Sequence, residues 1–268
     1  MIETAYAKIN LALHVRKRRE DGYHELETLF AFFDAGDVLT AHRSDRDTSA
    51  TLGEFAQAIG DPFGNIVSKA LGALPHGDGW TITLEKNLPV AAGLGGGSAD
   101  AGAVFRMVER AHGLPVDWRT RAAKLGADVP ACVLSETCIG RGIGTELQPV
   151  DSDLAGTPVL LVNPRVPLAT GPVFKAWDGK DRGALPAGSP REIALAGRND
   201  LETPATSLCP EIVEVLAALS NTGPWLARMS GSGATCFALY ETQDQLAEAA
   251  SRIKEILPSW WQMAGALR

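Results

Sequence analysis

The first segment of the chain alternates small or apolar residues with polar ones. From Ala5 to Val15 the alternation has the two-residue period of a β-strand. A strand of this register places Lys8 and Asn10 on one face. Further strands are predicted from β-rich runs at residues 28–33, 37–42 and 81–86.

Apolar residues at helical spacing predict three helices. Residues 66–74 form the first, and residues 101–108 belong to a second that meets a stop signal at Gly113. The third spans residues 118–125 and ends at Gly126, which we expect in the left-handed conformation common after a helix.

The second half of the chain reads as mixed α and β. Residues 145–156 carry proline and aspartate before the apolar run 158–162, which indicates a domain boundary. We therefore predict two domains, residues 1–152 and 153–268. Residues 171–188 are rich in Gly, Pro, Lys and Asp and show little periodicity, so a long functional loop is expected there.

Composition narrows the class of protein. The 268 residues are 45% hydrophobic and 21% charged, as in an ordinary globular chain, and the net charge of −7 disfavours a nucleic-acid partner. The short basic run from Arg16 to Arg19 is interpreted as a solvated strand end. Four cysteines without a CxxC pair and widely spaced histidines predict no structural zinc. Lacking an export signal or a membrane-length apolar stretch, the chain is expected in the cytoplasm, away from membranes.

A glycine-rich segment carries the clearest chemical signal. Residues 84–100 read as strand, loop and helix, with glycine at positions 93, 95, 96 and 97 just before the helix. Glycines let backbone N–H groups point inward, and the helix adds unpaired donors and a positive dipole end, so phosphate is the natural ligand. No Gly-Lys-Ser/Thr follows and the third glycine of the dinucleotide fingerprint is absent. The alternative is a tight connection without a ligand.

Three motifs resemble the superfamily of galactokinase, homoserine kinase, mevalonate kinase and phosphomevalonate kinase. They are the glycine-rich segment 89–103, the first strand at 5–11 (AYAKINL) and a second glycine-rich segment at 229–237 (MSGSGATCF). Two departures stand out, since Ala99 occupies a position where serine is common and Ala234 one where proline is frequent.

Within this GHMP kinase superfamily, three further segments resemble the 4-diphosphocytidyl-2-C-methyl-D-erythritol kinase family. They are residues 21–30 (DGYHELETLF), 125–130 (LGADVP) and 199–202 (NDLE). The resemblance implies an α+β, two-domain GHMP kinase fold. Its N-terminal domain, shared with some ribosomal proteins, holds a left-handed βαβ unit, and its C-terminal domain is an α/β sandwich. It also implies ATP and Mg²⁺, and a cytidine diphosphate-linked methylerythritol as acceptor, phosphorylated on its 2-hydroxyl in the non-mevalonate isoprenoid route.

The catalytic pair implied by the family is Lys8 and Asp128. The residues agree with this, because a strand lysine can stabilise charge on a transferring phosphate and a loop aspartate can accept or orient a hydroxyl proton. Outside the motif context, the favoured interpretation of Lys8 is a surface lysine on a half-exposed strand, and that of Asp128 is a loop residue that caps the next turn.

Binding residues are carried over from the family in the same way. ATP contacts are expected from the glycine-rich loop together with two outlying positions, which could instead be a helix cap and a strand-end charge: Asn65, Lys86, Pro89, Val90, Ala91, Ala92, Gly93, Leu94, Gly95, Gly96, Gly97, Ser98 and Ala99. Ser98 is the expected contact to ATP-bound Mg²⁺. Substrate contacts, for which simple packing is the alternative, are expected from Asn10, Tyr23, His24, Thr170 and Phe174.

Two other functions stay open at this point. One is a GHMP kinase for another small alcohol, such as homoserine or mevalonate, against which the segment 21–25 (DGYHE) argues. The other is a non-catalytic ligand-binding or RNA-binding protein on the same scaffold, which the charge of −7 and the presence of both Lys8 and Asp128 disfavour. We expect a small-molecule enzyme that is a monomer or a weak dimer.

Overall fold

The protein is described by a computed structural model that covers residues 1–59 and 66–268. Its strands are β1 (Ile2–Arg18), β2 (His24–Ser44), β3 (Thr48–Leu52), β4 (Gly79–Glu85), β5 (Cys138–Arg141), β6 (Glu146–Pro149), β7 (Pro158–Asn163), β8 (Leu226–Met229), β9 (Cys236–Leu239) and β10 (Trp261–Ala266). Its helices are α1 (Ile66–Gly72), α2 (Gly96–His112), α3 (Trp118–Leu125), α4 (Val129–Leu134), α5 (Thr170–Ala176), α6 (Pro190–Ala196), α7 (Glu202–Leu208), α8 (Glu211–Ser220) and α9 (Gln243–Ile256).

The α+β class is confirmed, and the chain divides into two compact units. The first unit comprises Met1–Lys8, Ala35–Val90 and Gly95–Ser135, and the second unit comprises Ile9–Asp34, Ala91–Leu94 and Glu136–Arg268. Strands β1 and β2 therefore contribute residues to both units. The domain boundary predicted between residues 152 and 153 stays a prediction.

The first unit packs helices on a small mixed sheet. The later part of β2 pairs antiparallel with β4, with Val38 opposite Glu85, and β3 pairs parallel with β4. Helix α2 contacts α1 and α4. Its predicted apolar stripe is fully buried, since Val104, Phe105 and Val108 have no exposed surface. The stripe fixes the rotation of α2, and with it the position of the helix N-terminus.

The second unit is built on an antiparallel sheet with the strand order β10-β7-β9-β8. All six residues of β7 are buried, which agrees with its continuous apolar run 158–162. Helix α8 packs against β8 and β9, and α9 packs against β7 and β10. Within the same unit, the early part of β2 pairs with β5.

Most predicted elements are confirmed, with three differences. The runs 28–33 and 37–42 form one continuous strand, because Gly36 permits a close approach to the Ala5 carbonyl instead of making a turn. Helix α3 ends where predicted, but Gly126 is extended, with φ 167°, and not left-handed. Helix α5 occupies the start of the predicted loop 171–188, because Pro172 lies in its first turn, where proline is tolerated.

Two remaining features concern the surface. Among the described residues, none of the helices combines the length and apolar character that crossing a bilayer needs. The basic run at the end of β1 is engaged in ion pairs, since Arg16 contacts Glu27 and Asp181, and Arg19 contacts Asp21.

Candidate active site

Lys8 and Asp128 meet in the first unit. The Lys8 Nζ lies 3.1 Å from the Asp128 Oδ2, with side-chain exposures of 5% and 33%. Lys8 projects from β1, and its burial excludes the alternative of a surface lysine. Asp128 stands at the N-cap of α4, yet its side chain makes no capping hydrogen bond. The carboxylate is therefore directed to Lys8 and, in part, to solvent.

The glycine-rich loop ends in an uncapped helix. Ala91, Gly93 and Gly95 all have positive φ, at 53°, 77° and 61°, so the backbone reverses repeatedly before α2. Gly95 is the N-cap of α2 and supplies no side-chain hydrogen bond. The N–H groups of the first turn of α2 thus lack a side-chain cap, which is the arrangement that suits an anion.

The second glycine-rich motif anchors the loop within the second unit. The Ala92 carbonyl accepts a hydrogen bond from the Thr235 backbone N–H at 3.1 Å, and the Gly93 carbonyl accepts one from the Ser230 hydroxyl at 2.9 Å. The same hydroxyl accepts from the Asn10 backbone N–H at 3.2 Å. Two segments that the sequence singled out separately therefore meet through one backbone hydrogen bond and one from the Ser230 side chain.

Lys86 belongs to a buried ionic cluster of the first unit. Its Nζ donates to the Asp37 Oδ2 and, at 2.7 Å, to the Asp100 Oδ2. Burial opposes the Lys86 ammonium, but the two carboxylates outweigh burial and raise its pKa. Burial raises the pKa of Asp100 to about 7, with Asp37 acting in the same direction. Whether Lys86 contacts the nucleotide stays a prediction, and Asn65 lies outside the described residues.

An aromatic group in the second unit surrounds His24. The His24 ring lies 4.9 Å from Phe174 and 5.8 Å from Trp177, measured between centroids. The His24 Nε2 also accepts from the Arg18 Nε at 3.4 Å. Burial, followed by the charge of Arg18, lowers the pKa of His24, so the ring is held neutral.

The remaining predicted substrate residues differ in exposure. Tyr23 is 58% exposed, so more than half of its surface is open to solvent. The Thr170 hydroxyl lies 3.0 Å from the Ser232 hydroxyl, and the Asn10 Nδ2 donates to the Thr28 hydroxyl at 2.8 Å. The structure therefore brings His24 and Phe174 together, while Thr170 and Asn10 contact other partners of the same unit.

A second polar network holds the segment after α5. The His14 Nδ1 lies 3.0 Å from the carbonyls of both Gly183 and Ala184, and its Nε2 accepts from the Arg198 backbone N–H at 3.2 Å. These contacts require a neutral ring protonated on Nδ1. Burial lowers the pKa of His14 and agrees with that tautomer. Arg198 in turn donates to Asp200 at 2.7 Å.

Sequence reasoning missed Asp37, Asp100 and Trp177. The sequence predicts Asp37 only as the first residue of the strand 37–42, and Trp177 falls in a segment without periodicity. A usable signal existed for Asp100, because it is a charged residue one position before the apolar stripe of α2.

Comparisons with known proteins show the family of the chain. Residues 65–136 match the family described as GHMP kinases N terminal domain, and residues 182–259 match GHMP kinases C terminal. A 4-diphosphocytidyl-2-C-methyl-D-erythritol kinase of Novosphingobium aromaticivorans is 73% identical, over 99% of this chain and 92% of that protein. One of Erythrobacter litoralis is 62% identical over 99% of both chains.

Solved structures give the same result at the level of the fold. A crystal structure of 4-(cytidine 5'-diphospho)-2C-methyl-D-erythritol kinase superposes with a TM-score of 0.83 at 35% identity, covering 100% of this chain and 99% of that one. Homoserine kinase from Cytophaga hutchinsonii, at 17% identity and a TM-score of 0.71 over 99% and 94% of the two chains, shares the fold alone. The chain belongs to the 4-diphosphocytidyl-2-C-methyl-D-erythritol kinase family of GHMP kinases, small-molecule kinases with ATP as co-substrate.

Proposed function

We propose that this enzyme transfers the γ-phosphoryl group of ATP to the 2-hydroxyl of 4-diphosphocytidyl-2-C-methyl-D-erythritol, giving the 2-phosphate and ADP, as a step of the non-mevalonate isoprenoid pathway. The observation that carries the proposal is the Lys8–Asp128 pair, with 3.1 Å between Nζ and Oδ2, in a chain 73% identical to a kinase named for that substrate. Asp128 is 33% exposed, so a ligand hydroxyl can reach its carboxylate.

The two residues take complementary roles in the transfer. Asp128 accepts or orients the proton of the attacking hydroxyl, which is the task of a positioned carboxylate. The Lys8 ammonium offsets negative charge on the transferring group or on the substrate oxygen. Phosphoryl transfer depends mainly on positioning and electrostatics, so orientation by Asp128 matters as much as proton removal.

The nucleotide is proposed to bind with its phosphates on the loop from Pro89 to Ala99. Support comes from the uncapped first turn of α2 and from the three positive φ values before it. Mg²⁺ is proposed to enter this site with the nucleotide, because a phosphate-bound Mg²⁺ keeps several waters and needs few protein ligands, and Ser98 places a hydroxyl in the first turn of α2. When bound it would neutralise phosphate charge, with the Ser98 hydroxyl as its proposed protein ligand.

The cytosine of the acceptor is proposed to lie against His24 and Phe174. Their 4.9 Å centroid separation and the neutral state of His24 suit stacking with an uncharged pyrimidine. The exposed ring of Tyr23 is available on the same segment for a second stacking contact. Asn10 and Thr170 are proposed to contact the remainder of the substrate.

We place the enzyme in the cytoplasm, as a monomer or weak dimer without a nucleic-acid partner. Support comes from the free, buried thiols of all four cysteines, which suit a reducing compartment, and from the net charge of −7. Sedimentation of the purified chain tests the oligomeric state, and a stable higher oligomer would contradict the proposal.

A coupled ADP-release assay tests the reaction directly. The purified chain is given ATP, Mg²⁺ and one acceptor at a time: 4-diphosphocytidyl-2-C-methyl-D-erythritol, homoserine or mevalonate. We expect turnover with the first acceptor only, and omission of Mg²⁺ should abolish it. Preferred turnover of homoserine or mevalonate would identify a different kinase, and nucleotide binding without turnover of any acceptor would favour a ligand-binding protein.

Asp128→Asn tests the assigned chemistry, with Asp117→Asn as the matched control. Both aspartates occupy N-cap positions without a side-chain capping bond, but Asp117 pairs with Arg121 on the surface. We expect Asp128→Asn to lower kcat by roughly 10²–10⁴ with little change in the KM for ATP, as for a positioned base. Asp117→Asn should keep the parental kcat. Near-parental turnover of Asp128→Asn would remove this residue from the mechanism.

A further inference from the structure

Within the first unit, a second ionic cluster stands apart from Lys8 and Asp128. Asp37, Lys86 and Asp100 form it, with side-chain exposures of 0%, 3% and 2%. Burying three ionisable groups is costly, and a buried ion pair is weak evidence for added stability. The contacts of each group show what the cluster holds in place.

Asp37 fixes the chain just before the glycine-rich loop. Its Oδ1 accepts from the backbone N–H of Asn87 at 2.6 Å and of Leu88 at 2.8 Å, while its Oδ2 accepts from the Lys86 Nζ. These three hydrogen-bond partners are all donors, and the Asp100 carboxyl is a further neighbour that interacts with Asp37. The residues that lead into Pro89 are therefore held by one buried side chain.

Lys86 links Asp37 to the other end of the glycine-rich loop, where α2 begins. Its Nζ donates to the Asp100 Oδ2 in α2, and it lies 3.1 Å from the position that a Cβ on Gly96 would occupy. The ammonium thus fills the space beneath the first residue of α2. Asp100 Oδ1 has no hydrogen-bond partner among the described residues.

We propose that Asp37 and Asp100 are positioning residues that, through Lys86, hold both ends of the glycine-rich loop and so set the affinity of the enzyme for nucleotide. This inference rests on the function proposed above, in which the loop binds the phosphates of ATP. It assigns the cluster to the orientation of the α2 N–H groups and not to contact with the reacting atoms.

Two isosteric variants separate positioning from charge. Asp37→Asn must turn an amide NH₂ toward a donor, because both carboxylate oxygens accept hydrogen bonds. Asp100→Asn can keep its oxygen on Lys86 and place the NH₂ on the unpartnered side. At about pH 8.5, above the pKa of about 7 that burial gives Asp100, each variant removes one negative charge. A charge effect would therefore change the Kd of both variants similarly at that pH, whereas positioning makes Asp37→Asn the more severe.

Glu3→Gln controls for general loosening of α2. Glu3 is 7% exposed and forms ion pairs with Arg106 and Arg110, farther along the same helix. This variant removes a largely buried charge from an α2 contact but leaves the loop contacts intact. It should lower the midpoint of thermal unfolding without changing nucleotide affinity.

The experiment is calorimetric titration of each full-length variant with a nonhydrolysable ATP analogue and Mg²⁺, alongside KM values for ATP and acceptor. We expect Asp37→Asn to raise the Kd about tenfold and Asp100→Asn less than about threefold, in the range of supporting-residue effects, with acceptor KM unchanged. If Asp37→Asn fails to fold, Asp100→Leu, which removes the Lys86 acceptor, should raise the Kd similarly.

Equal Kd changes in the two asparagine variants, or a raised Kd in Glu3→Gln, would overturn the positioning role. So would a parental Kd in Asp37→Asn. A parental enzyme that binds no nucleotide would instead refute the proposed function, so the two failures are distinguishable.

Discussion

Alanine at Gly95 and at Gly97 separates two reasons for glycine in the loop. At Gly95 an added Cβ would lie 2.9 Å from the Lys8 Cε, in a backbone with φ 61°. At Gly97 the only neighbour within 4 Å among the described residues is the Ile66 Cγ2 at 3.9 Å, an ordinary contact. Protein packing therefore requires glycine at the first position, and the protein itself leaves room at the second.

The expected stabilities follow from these distances. A left-handed alanine costs about 1–2 kcal/mol, and displacement of the Lys8 stem adds a similar amount, so Gly95→Ala should lower the free energy of unfolding by about 2–4 kcal/mol. Gly97→Ala should leave it unchanged or raise it by up to about 1 kcal/mol, because alanine is the better helix former.

Gly97→Ala should weaken nucleotide binding even though it does not lower the stability of the protein. If ATP phosphates approach the first turn of α2, a methyl group at Gly97 blocks them, and we expect the Kd of a nonhydrolysable ATP analogue to rise at least about tenfold, the loss of roughly 1.4 kcal/mol. Urea unfolding and calorimetric titration of both variants measure the two quantities. A stable Gly97→Ala enzyme with parental affinity would refute phosphate binding at this turn.

Three further variants test the other parts of the site. Lys8→Met keeps the aliphatic stem beside Gly95, and water can solvate the Asp128 carboxylate, which is 33% exposed. We therefore expect kcat to fall by roughly 10²–10³ with little loss of stability. A parental kcat would exclude Lys8 from the mechanism. Phe174→Ala should raise the KM for the acceptor but not for ATP, and equal changes in both would argue against a cytosine site. Unfolding free energies at pH 5.5 and 7.5 should differ less in His14→Gln than in the parent. Because the pKa of His14 is lowered in the folded protein, the unfolded chain binds more protons, and the stability of the parent falls as the pH drops below about 6.5. An equal difference in the variant and the parent would contradict this.

Local patterns predicted the elements that depend on local sequence. The apolar stripe of α2 and the end of α3 at Gly126 were both readable, because helix periodicity and stop signals act over a few residues. The conformation of Gly126 could not be predicted from the local sequence, because α4 begins only three residues later, at Val129, and the path between two helices is set by their packing.

Long-range contacts explain what the sequence concealed. The stretch Asp34-Ala-Gly-Asp37 has the composition of a turn, yet β2 continues through it. Gly36 is needed because the Ala5 carbonyl approaches it closely. Asp37 accepts hydrogen bonds from the backbone N–H groups of Asn87 and Leu88, about 50 positions along the chain. Neither partner is visible from the local sequence, so the cluster around Lys86 could not be inferred there.

Two lysines have similar surroundings but differ in how far their carboxylate partners are exposed to solvent. A Cβ added at Gly95 would lie 2.9 Å from the Lys8 Cε, and one added at Gly96 would lie 3.1 Å from the Lys86 Nζ, so lysine side chains flank two consecutive residues where α2 begins. The partner of Lys8 is a third exposed to solvent, whereas both partners of Lys86 are at most 2% exposed. A carboxylate that water reaches can also meet a substrate hydroxyl, and one sealed from water can only hold protein groups. On this basis we propose a role in the transfer for Lys8 and a role in holding the loop for Lys86.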